Sequence, residues 1–332
     1  MRGLLMAGLM IGSAALAEEK AALAVEILDP KGAELIAAEP EMQELGKGYG
    51  WSEGPLWDAK NKRLLFTDVP NNIAYQWTEK DGVTEWMNPS GYTGEPRKGG
   101  VGANGLAFSA QGDLLICEHG DRRISRVVSE KDGKVTKQPF VSGLDGKRFH
   151  SPNDLAVSKA GIVFFTDPPY GLPKKDNDPG REIDFNGVFR VATDGNVTTI
   201  AKELFRPNGI TLSPDEKFLY VAQSDPKDAK VVRYALKADG TTGDQELVMN
   251  LTDFTKEARG LPDGLKFDEK GHLWTTGPGG IFVIDVDEKK LLARVKVDRP
   301  VANLAWGEDG QSLFLTAHNR LLKVRTKVKG HL

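Results

Sequence analysis

Short apolar runs separated by polar turns rich in Gly, Pro and Asp follow one recurring pattern along the chain. Each copy opens on a polar residue and a small or turn residue, then has Leu or a similar residue, one variable position, and an apolar or aromatic residue. A polar turn and a second apolar run complete it. The copies begin Glu53-Gly54-Pro55-Leu56-Trp57, Asn104-Gly105-Leu106-Ala107-Phe108, Asn153-Asp154-Leu155-Ala156-Val157, Asn208-Gly209-Ile210-Thr211-Leu212, Asp263-Gly264-Leu265-Lys266-Phe267 and Ala302-Asn303-Leu304-Ala305-Trp306. Turns such as Ser109-Ala110-Gln111-Gly112 and Asp268-Glu269-Lys270-Gly271 suit hairpins. They lead into strand-like runs, among them Leu64–Thr67, Leu114–Cys117, Ile162–Thr166 and Leu313–Thr316. Third strands of alternating polarity follow, for example Ile124–Val127 and Val231–Tyr234.

The copies start about 40 to 55 residues apart, the length of a four-stranded propeller blade. With no clear amphipathic helix between units, the pattern predicts an all-β chain forming a six-bladed β-propeller, with seven blades as the alternative count. The chain beyond Ala302 is too short for four strands and their loops. The last blade is therefore expected to be closed by an amino-terminal strand from residues 22–37, where Ala24–Leu28 and Glu34–Ala37 are the candidates. Such closure removes an exposed edge.

Charge and composition narrow the setting. The 44 basic and 47 acidic residues are scattered, with no basic block to coat a phosphate backbone, so nucleic acid is excluded as a partner. At the start, Arg2 precedes a short apolar stretch ending in Ala15-Leu16-Ala17, which reads as a cleaved signal peptide over residues 1–17. The stretch falls short of the roughly 20 residues that span a bilayer. The expectation is a periplasmic or secreted protein with one domain over residues 18–332 and no membrane contact after cleavage. The single cysteine, Cys117, sits in an apolar run and reads as a core thiol. No internal disulfide can form, so stability rests on burial.

In a propeller the innermost strands line a central channel, so one repeat position forms a ring. Here the ring reads Glu53, Asn104, Asn153, Asn208, Asp263 and Ala302. A single Asn-Gly is ordinary turn chemistry, with Asn and Gly tolerating positive φ. A local turn needs no glutamate, however, and two carboxylates converging on an axis repel unless a cation or proton lies between them. Amide and carboxylate oxygens are hard donors suited to Ca²⁺, Mg²⁺ or Mn²⁺, and without His or Cys in the ring a tetrahedral structural zinc is disfavoured.

The stretches Trp51-Ser52-Glu53-Gly54-Pro55, Arg148-Phe149-His150-Ser151-Pro152-Asn153-Asp154-Leu155, Phe165–Leu172, Arg206-Pro207-Asn208-Gly209 and Leu261-Pro262-Asp263-Gly264 resemble the signatures of the gluconolactonase / senescence marker protein (regucalcin) family. Cys117–Arg123 is similar to its bacterial, exported gluconolactonase-like branch. The resemblance implies a six-bladed propeller, one calcium-type divalent ion and lactone hydrolysis. It places metal ligands on Glu53, Asn208 and Asp263, with Asn153 a fourth ligand or a substrate contact. His150 departs from the pattern, standing where many relatives in this branch carry Asn.

A lactone hydrolase must polarise a carbonyl, deliver water and stabilise an oxyanion. A channel-bound divalent ion, Ca²⁺ foremost with Mg²⁺, Mn²⁺ and Zn²⁺ as alternatives, serves the first and last needs and acidifies bound water. Asp263 is the preferred general base, with Asp154, His119 and His150 as rivals. Asn104, His119, Arg148, His150 and Asn153 are candidate substrate contacts, Arg148 having a blade-surface ion pair as its alternative. The reaction expected is opening of a gluconolactone-like sugar lactone to the aldonic acid. The other readings are a non-catalytic metal-stabilised binding propeller and an esterase or phosphotriesterase of the same fold.

Overall fold

A computed structural model describes residues 21–331; the signal segment expected at 1–17 lies outside them. Six antiparallel sheets of four or five strands surround a central channel, with one small two-stranded sheet besides. Their innermost strands are Ser52–Asp58, Ala103–Phe108, Leu155–Val157, Pro207–Leu212, Leu265–Phe267 and Asn303–Gly307, and each touches the next around a closed ring. The chain is thus the expected all-β six-bladed propeller, with blades one to six in chain order. Among the described residues no helix is long and apolar enough to cross a membrane.

The core lies between blades, because the alternating apolar side chains of each sheet face its neighbours. Leu64, Phe66 and Trp77 of blade one pack against Ala305, Phe314 and Leu321 of blade six. Leu115, Cys117 and Ile124 of blade two meet Phe149, Phe165 and Phe189 at blade three. Cys117 is fully buried, and burial pushes its thiol pKa well above the ordinary range, so it packs as the expected core residue.

Closure uses a different segment from the one expected. Met42–Lys47 pairs antiparallel with Arg320–Arg325, Met42 opposite Val324 and Lys47 opposite Arg320, and completes blade six. The more apolar Leu23–Ile27 instead adds a fifth strand to the outside of blade five, Leu23 opposite Val297. Glu34–Ala37 forms no strand. Pro30–Leu35 is a short helix because Asp29 caps it, accepting from the Lys31 amide at 2.9 Å, and Pro30 presets the first turn. An outermost strand needs little apolar content since one face meets solvent, which is why Met42–Lys47 carried a weak signal.

Candidate active site

The ring residues stand where each chain segment enters its innermost strand, and the second strands fix them from outside. Thr67 of blade one donates its hydroxyl to the Asn104 carbonyl of blade two at 3.2 Å, and Thr166 of blade three donates to the Asn208 carbonyl of blade four. Thr276 accepts the Asp263 amide at 2.9 Å. One residue further along those strands, side chains hold the lead-in segments. Asp68 accepts the amides of Gly50 and Trp51, Asp167 those of His150 and Ser151 at 2.8 and 2.7 Å, and Gln223 that of Phe205 at 2.9 Å. In blades one and three two adjacent residues, Thr67-Asp68 and Thr166-Asp167, make both kinds of contact, while blades four and five use one each, Gln223 and Thr276.

The glycines after the ring residues answer to space more than to turn conformation. Gly54 has φ +50°, but Gly105, Gly209 and Gly264 have no positive φ. A Cβ at Gly209 would sit 2.0 Å from the Asp263 carbonyl oxygen of the next blade, and one at Gly54 1.9 Å from that of Asn104. Inner strands approach so closely that only glycine fits. Blades three and six replace it with Asp154 and Asn303, whose side chains form a floor under the ring. Asp154 accepts the Leu155 amide at 2.9 Å, and Asn303 Nδ2 reaches Glu53 Oε2 at 3.5 Å.

Above that floor is a cavity of ≈ 410 Å³ lined by Glu53, Asn104, Asn153, Asn208 and Asp263. His119, Tyr170 and Ser224 share its polar wall, and Trp51, Val69, Leu261 and Val301 make an apolar rim. Burial, with the charge of Asp154 nearby, lifts the Glu53 carboxyl to about 7. Asp263 is pushed well above its ordinary value by burial and by the charges of Glu53 and Asp154. Two carboxylates that resist ionising together form a site short of positive charge.

The amides complete the picture. Asn208 Nδ2 donates to Ser224 Oγ at 2.9 Å, and the Ser224 hydroxyl donates in turn to the Pro262 carbonyl. Burial lowers the His119 pKa to about 4, so its ring is neutral. With Nδ1 3.1 Å from the Gly100 carbonyl, Nε2 is left to accept from Asn104 at 3.4 Å and Asn153 at 3.3 Å. These contacts fix which way the amides point, nitrogen toward His119 or Ser224 and carbonyl oxygen away from it. Asn104 Oδ1 and Asn208 Oδ1 are buried without a hydrogen-bond partner among the described residues. Unpaired buried oxygens beside two repelling carboxylates fit a hard cation. No three His, Cys, Asp or Glu side chains converge among the described residues, so such an ion would depend on Asn oxygens as well as on Glu53 and Asp263.

Four sequence expectations need correction. Arg148 lies exposed on a two-residue strand, its amide donating to Glu182 at 2.7 Å, and does not line the cavity. His150 is fully buried between blades, with Nε2 2.8 Å from the Ile183 carbonyl, and also misses the cavity. Asp154 faces the axis from the floor, sealed from the cavity lining. In blade six the polar side chain at the axis is Asn303, one residue beyond Ala302. Sequence reasoning missed Ser224 and Leu261 and took Tyr170 only for part of a rim loop. His150→Asn is accordingly expected to cost about 1–3 kcal/mol by stranding a buried carbonyl, and to leave the ranking of lactones by kcat/KM unchanged. A changed ranking would return His150 to the substrate.

Fold and site together define a six-bladed propeller with an oxygen-donor pocket at one end of its axis. The sequence matches the family described as SMP-30/Gluconolactonase/LRE-like region over residues 51–319, and the chain belongs to that family. It is 38% identical over 305 residues to a gluconolactonase of Zymomonas mobilis subsp. mobilis, covering 89% of this chain and 84% of that one. It is 29% identical to the pentonolactonase XacC of Haloferax volcanii, covering 80% of each. Among solved structures, a gluconolactonase from Xanthomonas campestris superposes with a TM-score of 0.77 at 29% identity, over 93% of this chain and 98% of that one.

Proposed function

We propose that the protein is a lactonase that opens a gluconolactone-like sugar lactone to the aldonic acid with one divalent ion held at the propeller axis. The observation that carries this reading is the pairing of buried Glu53 and half-buried Asp263 with orphaned Asn oxygens in one cavity. Relatives named gluconolactonase and pentonolactonase support the substrate class. Glu53, Asn208 and Asp263 are the residues to hold the ion, with Asn153 a further ligand or a substrate contact. Their hard oxygens favour Ca²⁺ over softer-site metals, while Mg²⁺, Mn²⁺ and Zn²⁺ also accept carboxylates. When bound, such an ion supplies carbonyl polarisation and a more acidic water.

The residues of the chain do the rest. Asp263 takes a proton from the attacking water as its oxygen bonds to the lactone carbonyl carbon. Collapse of the tetrahedral adduct breaks the ring C–O bond, and the proton held by Asp263 passes to the departing ring oxygen, leaving a hydroxy acid. Asp154 is unsuited to this task because it is buried and does not line the cavity, and His119 has given its Nε2 lone pair to two amides. Burial keeps the Tyr170 phenol protonated, so it remains a donor beside Ser224 and Asp263 for a substrate oxygen. The apolar rim excludes water from all but one side. Export directed by residues 1–17 belongs to the same proposal; the amino-terminal sequence of the mature protein tests it.

The decisive experiment is elemental analysis of the purified protein combined with a pH-indicator screen of sugar and aliphatic lactones, with and without chelator. Hydrolysis of a sugar lactone, lost on chelation and restored by calcium, is the expected outcome. Full activity in metal-free protein would overturn the axial ion. Failure on every lactone would overturn the substrate class.

A further inference from the structure

Beside the axial cavity a second depression of ≈ 500 Å³ runs between blades five and six, and it shares Trp51 and Pro300 with the cavity. The two are neighbours along the chain as well: Gly260 lines one and Arg259 the other, while Arg299 of the groove precedes the shared Pro300. Trp51 forms the partition. Its indole N–H donates to Glu53 Oε1 at 3.3 Å, and its ring meets His318 edge-on at 5.3 Å. A molecule reacting above Glu53 and Asp263 that is longer than the cavity has this groove as a place for its far end.

Among its described lining residues the groove carries two arginines, Arg259 and Arg299, against one acid. That acid, Asp298, is held by two arginines, Arg320 at 3.4 Å and Arg299 at 3.9 Å. Glu44 adds a second contact to Arg320 at 3.2 Å. The acid nearest Arg259 in sequence, Glu257, is engaged by Arg294 at 3.2 Å. Arg259 itself is exposed and has no carboxylate partner among the described residues. Its carbonyl accepts the Gly279 amide at 2.8 Å, which anchors the backbone from which the side chain lines the groove. Arginine presents a planar fork that matches carboxylate and phosphate oxygens.

We propose that this groove is a subsite for an oxyanion at the distal end of the substrate, so that the enzyme prefers lactones whose carbon chain ends in a carboxylate or a phosphate. The inference rests on the lactonase reading and names the substrate class for the same site. Arg259 contributes the charge-assisted contact, and Trp51 separates that contact from the reacting end.

The test compares wild type and Arg259→Glu on three lactones: gluconolactone, the same lactone phosphorylated on its terminal carbon, and the monolactone of the corresponding dicarboxylic sugar acid. Wild type is expected to favour at least one anionic lactone over the neutral one in kcat/KM. Arg259→Glu should lower that anionic-to-neutral ratio by roughly tenfold to a hundredfold, as loss of a charge-assisted hydrogen bond allows. Which anionic substrate responds distinguishes carboxylate from phosphate. The effect should shrink at high salt. A ratio near one in wild type, or one unmoved by Arg259→Glu, overturns the subsite.

A separate arm keeps the subsite apart from the lactonase reading. Inorganic phosphate and an open-chain sugar dicarboxylate are titrated into both proteins and followed by thermal shift. Protection in wild type that Arg259→Glu loses supports the groove even if no lactone is hydrolysed. Equal protection, or none, counts against it.

Discussion

Asp263→Asn is expected to lower lactone kcat/KM by about a thousandfold, the usual scale for losing a general base. The same change should raise the melting temperature of chelator-treated protein at neutral pH. Both effects have one cause. Buried Glu53 and half-buried Asp263 repel each other, so metal-free wild type folds against that repulsion. A carboxyl whose folded-state pKa stands above its unfolded one holds its proton more tightly in the folded state. Its stabilising contribution is therefore lost as pH rises. For Glu53 the window runs from its ordinary 4.5 to about 7. Chelated wild type should lose stability across that window, whereas protein with calcium should not, and Asp263→Asn should show a smaller loss. Full activity in the variant would remove Asp263 from the mechanism. A flat pH profile of the chelated wild type would remove the repulsion.

Gly209→Ala tests the axis without reference to chemistry. The added methyl would lie 2.0 Å from the Asp263 carbonyl oxygen, and backbone on both sides leaves neither free to yield. A cost of about 3 kcal/mol is expected, at the upper end for overpacking. Because the displaced carbonyl belongs to Asp263, calcium affinity should fall with stability. Chemical denaturation and calorimetric titration measure the two. A stable variant with unchanged affinity would show that blades four and five stand further apart than described.

The ring was legible because one physical constraint repeats. In four of the six blades the inner strand comes so close to its neighbour that a Cβ is excluded, and there the axial residue is followed by glycine. Where that constraint is met differently, the reading slipped. Blade six has Asn303 at the glycine position with its side chain on the axis, and alignment by pattern placed Ala302 there instead. Arg148 and His150 lie close to Asn153 in sequence, but the lead-in segment turns one outward to solvent and the other into the interblade core. Ser224 and Leu261 line the cavity from the ends of strands and from loops. No period marks such positions, and only the closed ring brings them together. Closure itself was anticipated, while its strand was misassigned because apolar content is a poor guide to an outer edge.

The seam between the two ends of the described chain also governs how the molecule comes apart. Immediately after the closing strand, Gly48 donates to the Asn319 carbonyl at 2.9 Å and Ser52 to the His318 carbonyl at 2.7 Å, and the next residue is Glu53. An ion shared by Glu53, Asn208 and Asp263 would therefore clasp blade one to blades four and five beside the joint where the ring opens. It has no complete site until the joint has formed, so it does little to hasten folding. Its occupancy should register in the rate of unfolding, as a lifetime more than as a folding speed.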